Sequence, residues 1–153
     1  MTTGPRVGII LGSASDKELL EACQATLDGL GIASEGLVAS AHRNPERVAA
    51  WARSARERGL KVLIAVAGLS AALPGVVAAH TTLPVIGVPA AAGPLSGVDA
   101  LLSMVQMPRG VPVATVAIGK GGAVNAALLA AAILGIEDDQ VAAKLAGYRE
   151  EWS

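Results

Sequence analysis

Residues 6–30 read RVGIILGSASDKELLEACQATLDGL, and their pattern changes period half-way. Residues 6–11 (RVGIIL) are a short apolar, partly β-branched run, which predicts a strand. From residue 15 to 30 the spacing of Leu20, Cys23, Leu27 and Leu30 is helical, and Gly31 supplies a stop. Between them lies GSASD, a small polar loop running straight into the helix.

The same alternation continues outward to the end of the chain. Strands are expected at 34–39, 61–66 (KVLIAV), 84–88 (PVIGV) and 113–118, and helices at 45–58, 72–80, 97–105, 124–134 and 138–152. Asn44 can cap the helix that Pro45 opens, because the first helical position has no use for an N–H. Strands buried on both faces and separated by helices imply a parallel sheet with right-handed crossovers. The expected fold is α/β: a three-layer αβα sandwich with a flavodoxin-like five-stranded parallel sheet and a C-terminal helix. Residues 126–134 (AALLAAAIL) are apolar on every side. That helix is expected to be buried all round, in part between subunits.

Length and composition restrict the function classes. The 153 residues suit a single domain over 1–153. Hydrophobic residues make up 52% and charged residues 16%, the latter below the usual quarter or so. A small domain this apolar has difficulty covering itself with polar groups, so a homo-oligomer is expected, unless Gly and Ala merely inflate the count. Twelve Lys and Arg against thirteen Asp and Glu, with no Phe, two Trp and one Tyr, leave neither a basic stripe nor a stacking platform for nucleic acid. The start, MTTGPRVGIILG, has no signal-peptide pattern, and the longest apolar run is too short to span a bilayer. A cytoplasmic protein without membrane contact is expected. The one cysteine, Cys23, can form no internal disulfide and reads as core.

In open parallel sheets ligands bind beyond the carboxyl ends of the strands, where strand order reverses. For order 2-1-3-4-5 that point lies between the first and third strands, which directs attention to loops 12–16, 40–44 and 67–75. In GSASD, the loop N–H groups and helix dipole favour an anion. Ser15 and Glu18 have capping-box spacing, which leaves Ser13 for a phosphate oxygen and Asp16 for a ribose hydroxyl. In SAHRN, Arg43 suits bidentate phosphate binding and His42 suits proton transfer near neutral pH, although a surface His and an ion-paired Arg are equally ordinary readings. The third loop, AGLSAALPG, carries no charge; Gly68 would allow close approach of a flat ligand and Leu73 could cover one of its faces. His80 falls at a helix end and Lys120 in a loop, GKGG, that lacks P-loop spacing. QMPRGVP precedes a strand, at the wrong end of its own sheet, and could reach only a neighbouring subunit's pocket. No metal-ligand cluster is apparent, so no metal is expected.

GSASD, SAHRNPERV, ALPGVVAAHTTLPVIGVP and LSGVDALLSMVQMPRGVPVATVAIGKGGAVNAALLAA together resemble the 5-(carboxyamino)imidazole ribonucleotide mutase family, in order and nearly without gaps over about residues 6–135. The resemblance implies a cofactor-free transfer of carboxylate from the exocyclic amine to carbon 4 of the imidazole in purine biosynthesis. It places His42 at the catalytic histidine and Ser13, Asp16 and Arg43 at nucleotide-binding positions; Ser40, Gly68 and Leu73 complete the expected substrate-binding set. It further implies an octamer whose sites draw on neighbouring subunits, and an ATP-dependent carboxyaminoimidazole ribonucleotide synthetase as functional partner. Many members of the family carry His where this chain has Ala72. Ser70 without that His is similar to the relatives that carboxylate aminoimidazole ribonucleotide directly with carbon dioxide, so direct carboxylation is the alternative activity. A non-enzymatic flavodoxin-like nucleotide-binding module is the alternative of another class.

Overall fold

The computed structural model describes residues 4–151. Five strands, β1 (Val7–Leu11), β2 (Ser34–Val38), β3 (Val62–Ala67), β4 (Val85–Pro89) and β5 (Ala114–Thr115), form one parallel sheet in the order β2-β1-β3-β4-β5. The helices are α1 (Lys17–Gly29), α2 (Pro45–Ser54), α3 (Leu73–Ala79), α4 (Val98–Val105), α5 (Lys120–Leu134) and α6 (Asp139–Glu150). The step from β1 to β2 runs one way across the sheet and every later step runs the other. Right-handed crossovers therefore put α1 on one face and α2, α3 and α4 on the opposite one.

Each face has its own core, assembled by the two-residue period of the strands. Ile9, Ile64 and Ile86 stand in register across β1, β3 and β4, as do Leu11, Val66 and Val88. All six face α1 and α5, with α6 packed outside through Val141, Leu145 and Tyr148. The alternate residues Ile10, Leu63, Ala65 and Val85 pack with Val48, Val77, Ala100 and Met104 of α2, α3 and α4. Each fully buried aliphatic side chain contributes about 1.5–3 kcal/mol through removal from water. Cys23 is core as expected: its thiol is buried, donates to the Ala123 carbonyl at 3.2 Å, and has its pKa pushed up to about 12 by burial.

The sequence expectations fail in several places. Only the central strands are buried on both faces; β2 and β5 are edges with exposed residues. β5 pairs over two residues rather than six. The Val116 N–H still donates to the Gly87 carbonyl at 3.0 Å, but the next bond to β4 comes from Gly119 to Pro89 at 2.8 Å. Ala90, the residue after Pro89, donates to Ala67 of β3, so the missing Pro89 N–H falls on the β5 side and the ladder breaks there. Burial of α5 between subunits is a matter for the assembly; within one chain Ala126, Ala127, Ala130 and Ala131 are buried and Leu129 and Ala132 are exposed. α5 also begins earlier than expected, at Lys120, the first helical residue. A Cβ on Gly122 would collide with the Ala117 carbonyl. GKGG thus serves a tight strand-to-helix approach. α2 ends at Ser54, and residues 55–59 form turns that close at Gly59, φ 91°. Residue 152 of the expected last helix lies outside the described residues.

Candidate active site

At the carboxyl edge of the sheet, over the gap between β1 and β3, a cavity of about 320 Å³ opens between four loops. The loops after β1, β2 and β3 supply most of its lining, and Ala92 after β4 supplies the rest. Ser13, Asp16, Ser40, His42, Arg43, Gly68 and Leu73 all line it. A larger, more open hollow of about 670 Å³ lies at the other edge, among Arg53, Arg56, Glu57 and His80, where α2 and α3 end. There His80 is tied to its own helix, its Nδ1 2.8 Å from the Val76 carbonyl, as its place at the C-terminus suggested. The chemistry-bearing residues gather in the smaller cavity.

The first loop folds differently from its expected capping box. Ser13, not Ser15, is the capping residue: its Oγ accepts the Ser15 N–H at 3.2 Å and lies 2.8 Å from Ser15 Oγ, opening a 3-10 turn over Ala14–Asp16. α1 follows with Asp16 at its N-cap but without a side-chain cap bond. The Asp16 carboxyl is half-buried, and desolvation raises its pKa above the ordinary carboxylate value.

The second loop is braced from within. Ser40 Oγ accepts the N–H groups of both His42 and Arg43 at 3.2 Å. Asn44 does not cap α2; its Oδ1 instead accepts the Ser40 N–H at 3.3 Å, while its own N–H donates to the Ser40 carbonyl at 2.8 Å. With both acceptor sites of the Ser40 oxygen engaged, its hydroxyl proton remains to be donated. The side chains of His42 and Arg43 are exposed and make no hydrogen bond or ion pair with other described residues.

The third loop is apolar and close-packed. Leu73 is buried at 2% exposure and forms the cavity floor with Ala67 and Ala71. Gly68 lines the cavity and meets a second constraint: a Cβ there would lie 3.0 Å from Ala92 Cβ in the loop after β4. Leu69 has φ 55°, a left-handed conformation that costs a non-glycine residue about 1–3 kcal/mol. Ala92 is the lining residue outside the three loops singled out from the sequence, and Leu69, inside the third, was given no role because it carries neither a polar group nor a turn signature. Among the described residues no three His, Cys, Asp or Glu side chains are grouped to hold a metal ion.

The sequence model for AIR carboxylase matches residues 6–153. The chain belongs to the AIR carboxylase family. Two curated relatives set the scale of similarity within that family. The N5-carboxyaminoimidazole ribonucleotide mutase of Bacillus subtilis (strain 168) is 57% identical over 146 residues, covering 95% of this chain and 90% of that protein. The mutase of Mycobacterium tuberculosis (strain CDC 1551 / Oshkosh) is 53% identical, covering 95% and 83%. Among solved structures, Treponema denticola PurE superposes with a TM-score of 0.86 at 32% identity, covering 96% of this AIR carboxylase family chain and 90% of that one. The flavodoxin-like sheet is therefore an architecture shared with a solved PurE structure.

Proposed function

We propose that the chain is an N5-carboxyaminoimidazole ribonucleotide mutase of purine biosynthesis, an isomerase. The observation that carries the reading is the grouping of His42, Arg43, Ser13 and Asp16 around one small, otherwise uncharged cavity. In this reading Arg43 and the Ser13 loop hold the phosphate, and Asp16 accepts hydrogen bonds from the ribose. Ser40 donates its free hydroxyl proton, while Gly68 and Leu73 wall the imidazole.

His42 carries the proton. As imidazolium it protonates the carbamate nitrogen; the C–N bond breaks with its electron pair left on nitrogen, giving the amine and carbon dioxide. Ring carbon 4 then attacks carbon dioxide, and neutral His42 removes the proton from that carbon to restore aromaticity. The proton lent is the proton returned, so one acid–base group completes an isomerisation without cofactor.

Ala72 and Ser70 line the cavity, and with no second histidine there, direct carboxylation by carbon dioxide is the second reading. An ultraviolet assay separates the two. Product from 5-(carboxyamino)imidazole ribonucleotide at low bicarbonate supports the mutase; product only from aminoimidazole ribonucleotide with bicarbonate overturns it. Silence in both arms would favour a non-enzymatic nucleotide-binding module.

The assembly proposed is a homo-oligomer, an octamer by resemblance, with the whole chain acting as one catalytic domain in the cytoplasm. No helix among the described residues is long and apolar enough to cross a membrane. Val98, Leu102 and Val105 form an exposed stripe on α4 beside exposed Leu95, which suits burial against another copy. Light scattering that gave a monomer would overturn this. Because the carbamate substrate decomposes in water, an ATP-dependent synthetase is the proposed supplier.

A further inference from the structure

Leu69 joins two features that nothing in the core explains. Its side chain is 51% exposed, and its backbone sits at φ 55°, where side chains are rarely found. Burial does not reward that conformation. The position of the side chain offers a reason. Leu69 belongs to the loop after β3 and lines the cavity, yet its isobutyl group lies against the backbone of Gly93 in the loop after β4. A Cβ on Gly93 would come 2.5 Å from Leu69 Cδ2, so the leucine would have to move aside, and the φ of 69° at Gly93 itself favours glycine. A leucine on a strained backbone and a left-handed glycine thus meet across two loops at the edge of the cavity.

On the mutase reading, this edge has a specific task. Carbon dioxide is small, apolar and free for an interval between the two half-reactions. The lining next to Leu69 is apolar too, with Ala71, Ala72, Leu73 and Ala92. We infer that Leu69 is a positioning residue that closes the cavity between the β3 and β4 loops and keeps the released carbon dioxide inside until ring carbon 4 captures it. Without the closure, carbon dioxide would leave, water would hydrate it, and the amine would be released unchanged.

The test follows the carbon atom. The full-length protein is given substrate carrying ¹³C in the carbamate, in buffer with unlabelled bicarbonate, and spontaneous decarboxylation is subtracted from an enzyme-free control. Label in the C4 carboxylate is compared with total product and with substrate consumed. Leu69→Gly keeps the left-handed backbone without strain, and Leu69→Ala repeats the measurement with a Cβ in place. Wild type should retain most of the label. Both variants should lose retention several-fold, increasingly so as bicarbonate rises, and consume more substrate than they convert. Leu69→Met should restore retention. A loss of stability alone would lower the amount of active enzyme without changing label retained per product formed. Equal retention in wild type and Leu69→Gly overturns the inference while leaving the mutase reading intact. No product from labelled substrate with wild type overturns the mutase reading itself.

Discussion

The backbone N–H of His42 donates to the hydroxyl oxygen of Ser40 at 3.2 Å, and the N–H of Arg43 does the same. One oxygen therefore sets the path of the dipeptide that carries the proposed acid–base and phosphate-binding groups. Ser40→Ala should cost about 0.5–1.5 kcal/mol of stability per bond lost. It should also lower kcat more than it raises KM, because His42 loses its placement. Ser40→Thr, which keeps the acceptor, should recover most of the rate. A Ser40→Ala variant with unchanged kcat would show that the loop holds itself.

His42→Asn should remove turnover and spare nucleotide binding. General acid–base catalysis contributes roughly 10²–10⁴-fold, and both half-reactions depend on this one group. Calorimetry with product and the ultraviolet assay together check it. A rate within a few-fold of wild type would reject the proton-transfer role.

Arg43→Ala should act mainly on affinity. A hydrogen bond to a charged group contributes about 1.5–3 kcal/mol, or roughly 10- to 150-fold in Kd. The loss should be far smaller for the nucleoside, which has no phosphate to lose. Equal weakening of nucleotide and nucleoside would take Arg43 away from the phosphate.

What the sequence conveyed and what it withheld follow from where each signal resides. The sheet order and the crevice were legible because apolar period and crossover handedness are properties of long stretches. The shortness of β5 was not, since it depends on which side of β4 the missing Pro89 N–H falls. The cap fell to Ser13 rather than Ser15 because both can cap a turn and only the backbone path selects between them. Leu69 was invisible, because a left-handed leucine has no signature in composition or spacing.

Asp138 ties α6 to the start of β1. Its carboxylate accepts Arg6 Nη1 at 2.6 Å and the N–H groups of Gln140 and Val141 at 3.1 and 3.2 Å. The Arg6 hydrogen bond, followed by that of Val141, holds its pKa below the ordinary 3.8. The folded state prefers the ionised form, so this stability is present above the ordinary value and is lost as pH falls through the folded one. Asp138→Asn keeps a capping oxygen and removes the charge. It should lower the urea midpoint at pH 7, and the difference from wild type should shrink progressively on acidification below about pH 4. A difference independent of pH would mean that the Arg6 pair contributes nothing.

Asp16 should behave in the opposite sense. Burial raises its pKa above 3.8, so the folded state prefers the protonated acid and resists the carboxylate. Its contribution is fully favourable below the ordinary value and is lost as pH rises through the raised one. Asp16→Asn, which carries no charge to desolvate, should match wild type near pH 3 and be the more stable of the two at pH 7. A half-buried carboxylate that opposes folding at working pH needs a reason, and ribose hydroxyls donating to it would supply one. The same variant should therefore bind nucleotide more weakly while melting higher. Higher stability with undiminished affinity would take the ribose contact from Asp16, and lower stability at pH 7 would show that its charge is already compensated within the fold.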